Sequence, residues 1–379
     1  MILPPAMLGI LGGGQLGRYF TLAARDMGYR VMVLDPDDDC PAASVADVFL
    51  AAAYDDATAL AELARQCAAV TTEFESVPAA ALCQLARRVP VHPGPEAVAI
   101  CQDRAREKAF LAEHGLPHAP WARIDCEADL AALPATLFPA ILKRSREGYD
   151  GKGQVRVADP DAALAAFREL GSVPCVLEQR LALQTELSVV LARGADGQLA
   201  SYPASENSHR EGILDMSVAP AHRLPAAMQA EACRLAERIA TALEYVGTLA
   251  VEFFVVDGRL LVNEIAPRPH NSGHWTLDAC ASSQFEQQVR ALCGLPLADT
   301  TPHAAAVMVN LLGGLWPAPE HLPDFSGALR EPALKLHLYG KRQARAGRKM
   351  GHFTVLGADA PSALYAAARV RAEIGLDAG

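Results

Sequence analysis

Between Asn263 and Trp275 the chain gathers Glu264, Arg268, His270, Asn271, Ser272 and His274 into one short run. An apolar stretch, Leu260 to Val262, delivers Asn263 and Glu264, and Pro267 then stops it. Regular structure has no need of such a cluster held by two prolines and a glycine. A site for a metal, phosphate and an anionic substrate does. Glu252 lies on the opposite arm of a hairpin predicted about Asp257-Gly258. Magnesium prefers a few carboxylates, with phosphate oxygens and water completing its octahedron, so Glu252 and Glu264 are the candidate metal pair. Register constrains them. A regular two-residue turn pairs Glu252 with Asn263 and turns Glu264 to the other face, so a shared metal requires the register to shift by a residue, through a bulge or a wider loop. His270 and His274 are separated by Asn-Ser-Gly, which breaks helical spacing, and are not read as a zinc pair.

Two glycine-rich turns carry further chemistry. Gly12, Gly14 and Gly17, with Asp35 after the next strand, satisfy the dinucleotide fingerprint, in which backbone N–H groups at a helix start approach a pyrophosphate. The motif is weak alone, because any βαβ unit needs glycines at its first tight turn, and Asp35 reads better as a turn residue. The second turn runs from Lys143 through Gly148, Gly151, Lys152 and Gly153 to Gln154. Its glycines free N–H groups to face phosphate, while lysine supplies charge. It lacks the Gly-Lys-Ser/Thr ending of a Walker loop. Glu178-Gln179 and Glu186 follow, an arrangement expected of a hinge that reads an adenine edge by backbone and a ribose by carboxylate.

The elements that must position these groups are legible in outline. Strands are predicted at 7–11, 31–35 and 69–73 and helices at about 15–27 and 57–66, which is βαβ architecture with a parallel sheet. Asp103 caps a helix over 104–114. Strands follow at 136–144, 155–157, 175–179 and 186–192, then a helix over 227–243 and the hairpin 248–266. The last third changes to short strands at 305–312, 333–339 and 352–356. The fold class is α/β, or α+β taken over several domains.

Composition bounds the partners. A formal net charge of −10 disfavours nucleic acid and membrane surfaces, both of which are negative. Nine cysteines without a Cys-x-x-Cys pair fit reduced thiols and a cytoplasmic location. No apolar run is long enough for a membrane span, and the Met1–Gly14 start lacks the basic region of a signal peptide.

The motifs Gly-Gln-Leu-Gly-Arg (14–18), Glu-Phe-Glu (73–75), Gly-Tyr-Asp-Gly-Lys-Gly-Gln (148–154), the 263–275 run and Gly-Arg-Lys-Met-Gly-His (347–352) together resemble the ATP-grasp superfamily. Within it they are most similar to the 5-(carboxyamino)imidazole ribonucleotide synthetase family, over nearly the whole chain. The resemblance implies three domains: a pre-ATP-grasp βαβ domain (1–102), an ATP-grasp domain (103–296, with a lid at about 118–180) and a small β-rich C-terminal domain (297–379). It implies carboxylation of 5-aminoimidazole ribonucleotide by bicarbonate and ATP, through carboxyphosphate, in a homodimer that needs Mg2+.

By the match, Arg104, Lys143, Gly148, Tyr149, Asp150, Gly151, Lys152, Gly153 and Gln154 hold ATP, with Glu178, Gln179, Leu181, Glu186, His209, Asn263 and Glu264. Tyr149, Asp150, Lys152, Arg268, His270 and Asn271 carry the chemistry, with Asp150 and His270 as alternative bases. Gln15, Glu75, Arg268, His270, Asn271, Ser272, Lys341 and Arg348 hold the substrates. Glu147 departs from the family's glycine there. Rival readings are a formate-dependent glycinamide ribonucleotide transformylase, a non-catalytic nucleotide sensor and, from Gly12 to Gly17, an NAD-dependent oxidoreductase.

Overall fold

Alternating apolar runs at the start of the chain become a parallel sheet in the computed structural model, which describes residues 1–148 and 152–376. Strands β1 (Met7–Leu11), β2 (Arg30–Asp35), β3 (Val48–Ala51) and β4 (Ala69–Thr72) lie in the order β3-β2-β1-β4. Every residue of β1 is buried, as expected of a parallel strand covered on both faces. Helix α1 (Gln15–Asp26) follows β1, and α2 (Ala57–Gln66) starts where the Asp56 carboxylate accepts the Ala59 N–H. β3, α3 (Ala79–Ala86) and α4 (Pro95–Cys101) complete this unit and were not read from the sequence.

Asp103 caps α5 (Arg104–Glu113) by accepting from the N–H groups of Ala105 and Arg106. An antiparallel sheet follows, in the order β5-β8-β6-β7, from β5 (Trp121–Ile124), β6 (Ala140–Arg144), β7 (Gln154–Val157) and β8 (Cys175–Gln179). Helices α6 (Glu127–Ala131) and α7 (Pro160–Glu169) accompany it. The strand expected from residue 136 begins only at Ala140. A 3-10 turn (Ala135–Leu137) and Pro139, which has no N–H to give a ladder, occupy the difference.

The largest sheet has nine strands. They are β9 (Thr185–Arg193), β10 (Leu199–Ser201), β11 (Ser205–Arg210), β12 (Ile213–Ala219), β13 (Gly247–Val256), β14 (Arg259–Ala266), β15 (Ala305–Leu312), β16 (Leu334–Leu338) and β17 (Lys349–Gly357). Eight run in the order β14-β13-β9-β11-β12-β15-β17-β16, and β10 pairs with β9. The pairing of β12 with β15 joins the C-terminal strands edge to edge with the central ones. Helix α8 (Ala226–Ala242) buries Leu235, Ala236 and Ile239 in the core with Leu187, Val189, Leu191 and Val251 of this sheet. The short α9 (Thr276–Ala279) and α10 (Gln284–Leu292) link it to the parallel unit, and α11 (Ala360–Glu373) covers the C-terminal strands. No helix among the described residues is long and apolar enough to cross a membrane.

Candidate active site

The β13–β14 hairpin decides where the two glutamates point. Its turn is two residues, Asp257 and Gly258, with φ of 48° and 69°, the left-handed pair that such a hairpin favours. From that turn Val256 pairs with Arg259 and Phe253 with Val262, as a regular hairpin requires. The register then shifts, and Glu252 pairs with Glu264, leaving Asn263 as the extra residue. The expected bulge is present, and both carboxylates stand side by side on one face. Burial and then the facing Glu264 raise the Glu252 carboxyl to about 7, with His209 partly opposing. Two crowded carboxylates, of which only Glu264 has an arginine partner, are a donor set that a divalent cation would complete.

Helix α5 brings the cations. The Arg104 guanidinium lies 3.2 Å from Glu264 and donates to the Gly148 carbonyl at 3.1 Å, so it joins the candidate metal pair to the second glycine turn. Lys143, at the end of β6, pairs with Glu178 at 3.0 Å, and Lys108 reaches the other Glu178 oxygen at 3.4 Å. Burial works against the Glu178 charge, but Lys143 and then Lys108 more than offset it and hold the carboxyl down at about 2. Its carboxylate is thus occupied by lysines, whereas Glu186 is more open and faces His209 at 2.9 Å. The ribose-reading carboxylate expected of this hinge is therefore better matched by Glu186. Gln179 and Leu181 line a cavity of about 560 Å3 with His118, Pro120 and Leu261, beside the hairpin tip.

Beyond Pro267 the chain turns into a buried polar network. Ser272 Oγ donates to His270 Nδ1 at 2.8 Å, and Ser188 Oγ donates to Ser272 Oγ at 2.7 Å. Asn207 Nδ2 in turn donates to Ser188 Oγ at 2.9 Å. Both the hydroxyl and the Ser272 N–H point at Nδ1, which places the ring proton of His270 on Nε2, 3.4 Å from Glu252 Oε1. Burial, followed by Arg268 and Lys349, holds His270 well below the ordinary histidine range, so the ring is neutral. Asn271 is 5% exposed, and neither its Oδ1 nor its Nδ2 has a partner among the described residues. A buried amide left open on both ends is what a substrate-facing residue looks like.

Arg268 extends from this network to Glu75 of the parallel unit. Burial opposes the Arg268 charge, but the Glu75 carboxylate beside it raises the guanidinium further, and Glu75 is lowered in return. Lys341 donates to Gln15 Oε1 at 2.9 Å and to the Lys349 carbonyl at 2.8 Å, so the C-terminal strands meet the start of α1. Arg348 stands apart, donating at 2.8 Å to the Gln343 carbonyl of its own turn.

The first glycine turn is filled by the protein itself. Glu73 accepts from the N–H groups of Gly14 at 2.5 Å and Gly17 at 2.6 Å, and Asp35 accepts from Gly13 at 2.6 Å. A Cβ on Gly12 would run into the Glu73 side chain. The donors that would bind a pyrophosphate are taken by internal carboxylates, and the NAD-dependent reading loses its site.

His274 lies away from His270. It stacks on His352 with ring centroids 4.7 Å apart, and His352 stacks on His337 at 4.4 Å. Asp278, His337 and His352 bring one ligand atom each within 4.8 Å. The His337 Nε2 is already bonded to Asp278 at 2.9 Å, and the two rings are within 13° of parallel. In-plane lone pairs on parallel rings do not converge, so this group is a stacked junction rather than a metal centre. It ties α1, through Tyr19, to β16 and β17.

Tyr149, Asp150 and Gly151 lie outside the described residues. Lys152 is exposed, and Gln154 is paired with Lys143 across β6 and β7. The sequence reading missed Glu107, Lys108, Ser188, Asn207 and Lys349. Glu107 and Lys108 had a signal, since with Arg104 and Leu111 they fall on one face of a helix.

Known proteins match this arrangement over its length. The ribonucleotide synthetase preATP-grasp domain matches residues 6–102, the ATP-grasp domain 109–285, and the phosphoribosylaminoimidazole carboxylase C-terminal domain 306–365. The N5-carboxyaminoimidazole ribonucleotide synthase of Brucella melitensis is 49% identical over 93% of this chain and 96% of its own length. An N5-carboxyaminoimidazole ribonucleotide synthetase solved as its ADP complex superposes with a TM-score of 0.90 at 40% identity, covering 98% of this chain and 97% of its own. The Aspergillus clavatus synthase, solved with ADP and 5-aminoimidazole ribonucleotide, gives 0.88 at 30% identity and 98% of each chain. The chain belongs to the N5-carboxyaminoimidazole ribonucleotide synthase family, a three-part assembly around an ATP-grasp domain.

Proposed function

We propose that this chain uses ATP and bicarbonate to carboxylate the exocyclic amine of 5-aminoimidazole ribonucleotide, releasing ADP and phosphate. It is an ATP-dependent carbon–nitrogen ligase of purine biosynthesis. The observation that carries the site assignment is the Asn263 bulge, which sets Glu252 opposite Glu264 just before the chain turns towards Arg268, His270 and Asn271.

Glu252 and Glu264 would hold Mg2+, which neutralises phosphate charge and aligns the γ-phosphoryl group. Arg104, Lys143 and the 148–154 turn would cradle the phosphates, with Glu186 and His209 on the sugar and Gln179 and Leu181 at the base. A bicarbonate oxygen takes the γ-phosphoryl group, ADP leaves, and the carboxyphosphate so formed must be kept from water. Arg268 and Asn271 would hold the bicarbonate-derived carboxylate. The amine then attacks its carbon, phosphate departs, and the amine loses a proton. Both nitrogens of His270 are committed, to Ser272 and towards Glu252, so we assign it to orientation and leave Asp150 as the candidate base. Lys341, beside Gln15, would grip the ribonucleotide phosphate, and Arg348 would join it by leaving the Gln343 carbonyl. A homodimer in the cytoplasm is the assembly and location we expect.

ADP release measured with and without 5-aminoimidazole ribonucleotide, and with bicarbonate depleted, tests this. The proposal requires both for turnover. Turnover with formate in place of bicarbonate, or without the ribonucleotide, would contradict it.

A further inference from the structure

Two charged residues that no step above uses are among the most buried in the protein. Glu107 is 2% exposed and Lys108 1% exposed, side by side on α5. They grip the bulged strand on both sides of the candidate metal ligand Glu264. Lys108 Nζ donates to the Asn263 carbonyl at 2.7 Å, and Glu107 Oε1 accepts from the Ile265 N–H at 2.6 Å. β14 is the edge strand of its sheet, so the backbone groups on its outer side, around the Asn263 bulge, must be satisfied from elsewhere or cost stability. Here one helix supplies both, the acceptor for Ile265 and the donor for Asn263.

The arrangement has a second consequence. Lys108 also touches Glu178, at the end of β8 in the smaller antiparallel sheet, at 3.4 Å. One ammonium therefore joins the strand leading out of that sheet to the strand carrying Glu264. Arg104, one turn earlier on the same helix, touches Glu264 itself.

We propose that Glu107 and Lys108 are positioning residues of the metal site: they clamp the Asn263 bulge and fix Glu264 opposite Glu252. This rests on the reading of Glu252 and Glu264 as the metal pair. Nothing in it requires either residue to touch substrate. The clamp predicts a defect in metal affinity rather than in ribonucleotide binding, because its grip ends at Ile265, before the Arg268 cluster.

The test measures Mn2+ affinity at saturating ADP by electron paramagnetic resonance, with thermal unfolding and the ribonucleotide KM alongside, in the full-length protein. Lys108→Met keeps the alkyl stem and removes the donor. Glu107→Ala removes the acceptor, and Glu107→Gln keeps one. Lys108→Met and Glu107→Ala are expected to weaken Mn2+ binding about tenfold or more, as loss of groups that orient metal ligands typically does, with the ribonucleotide KM within about twofold. Glu107→Gln should restore most of the affinity. Glu264→Gln separates the two claims. If it abolishes Mn2+ binding while Lys108→Met and Glu107→Ala leave it unchanged, the clamp is overturned and the metal pair stands. If Glu264→Gln leaves Mn2+ binding intact, the metal pair itself fails, and the clamp with it. Should Lys108→Met not fold, the Glu107→Ala and Glu107→Gln comparison decides: equal affinities contradict the clamp, and a difference supports it.

Discussion

The protein has two glycine-rich turns that follow strands, and they do opposite things. At Gly12 to Gly17 the freed N–H groups point at Glu73 and Asp35, carboxylates of the same chain. At the second turn the neighbours are cations: Arg104 on the Gly148 carbonyl and Lys143 at the end of the preceding strand. Glycines only make backbone donors available. The sign of the charge packed against them decides whether the anion they meet is internal or arrives as a ligand. Two buried carboxylates record the same contrast. Glu73 is held by backbone N–H groups, and burial raises its carboxyl, with Lys341 opposing only in part. Glu178 is equally enclosed, but its two lysines bring it down to about 2.

The comparison breaks most readily at Arg104. Arg104→Ala should lower kcat/KM for ATP by about a hundredfold, from the roughly 2–5 kcal/mol that truncating one partner of a buried charge contact costs. No Glu73 variant should move the ATP KM comparably. A small effect of Arg104→Ala in steady-state kinetics would take it out of the phosphate site.

Glu73→Ala should instead cost stability. It orphans the buried Gly17 N–H, at about 1–3 kcal/mol, and the half-buried Gly14 N–H, visible as a lower denaturation midpoint. It should not confer NAD binding, and an NAD-induced thermal shift in the variant would show that the turn is a blocked cofactor site rather than a structural one.

The pH dependences should have opposite signs. Glu178 is lowered from 4.5 to about 2, so its contribution is complete above the ordinary carboxylate value. That contribution, about 3 kcal/mol at this shift, disappears as pH falls towards 2. Glu178→Gln should flatten that acid limb of the stability curve. Glu73 is raised, so its contribution is complete below the ordinary value and lost as pH rises through the higher one. Identical pH profiles for Glu178→Gln and Glu73→Gln would erase the contrast.

The smallest effect concerns Glu147. Its φ of 63° is left-handed, a conformation that costs a non-glycine residue about 1–2 kcal/mol. Glu147→Gly should relieve that strain at the expense of unfolded-chain entropy, for a net gain of at most about 1 kcal/mol by chemical denaturation. A loss of stability would show that the glutamate side chain makes a contact of its own.

Much of this was legible from residue types. The 263–275 run, the strand ends and the Asn263 bulge all follow from period-two register and the demand that two glutamates share one metal. Elements whose inward residues are polar were not legible. β11 buries Glu206 and Asn207, so hydrophobic periodicity passed over it, although Asn207 supports Ser188 beneath His270. Lys108 and Lys349 were missed because a charged residue in one sequence reads as solvated until a fold brings its partner across. Glu178 lies 70 residues beyond Lys108, and no local pattern links them. The occupied first turn was hidden for the same reason. Its glycines advertise a phosphate site, and only the packing of β4 beside β1 brings Glu73 into it.

Backbone hydrogen–deuterium exchange with and without Mg2+ and ADP, in the unmodified protein, tests the central claim most directly. The account predicts slowed exchange at Gly148 and Lys152 to Gln154, with Gly13, Gly14 and Gly17 unchanged. Protection at Gly13, Gly14 and Gly17, with none at the second turn, would contradict it.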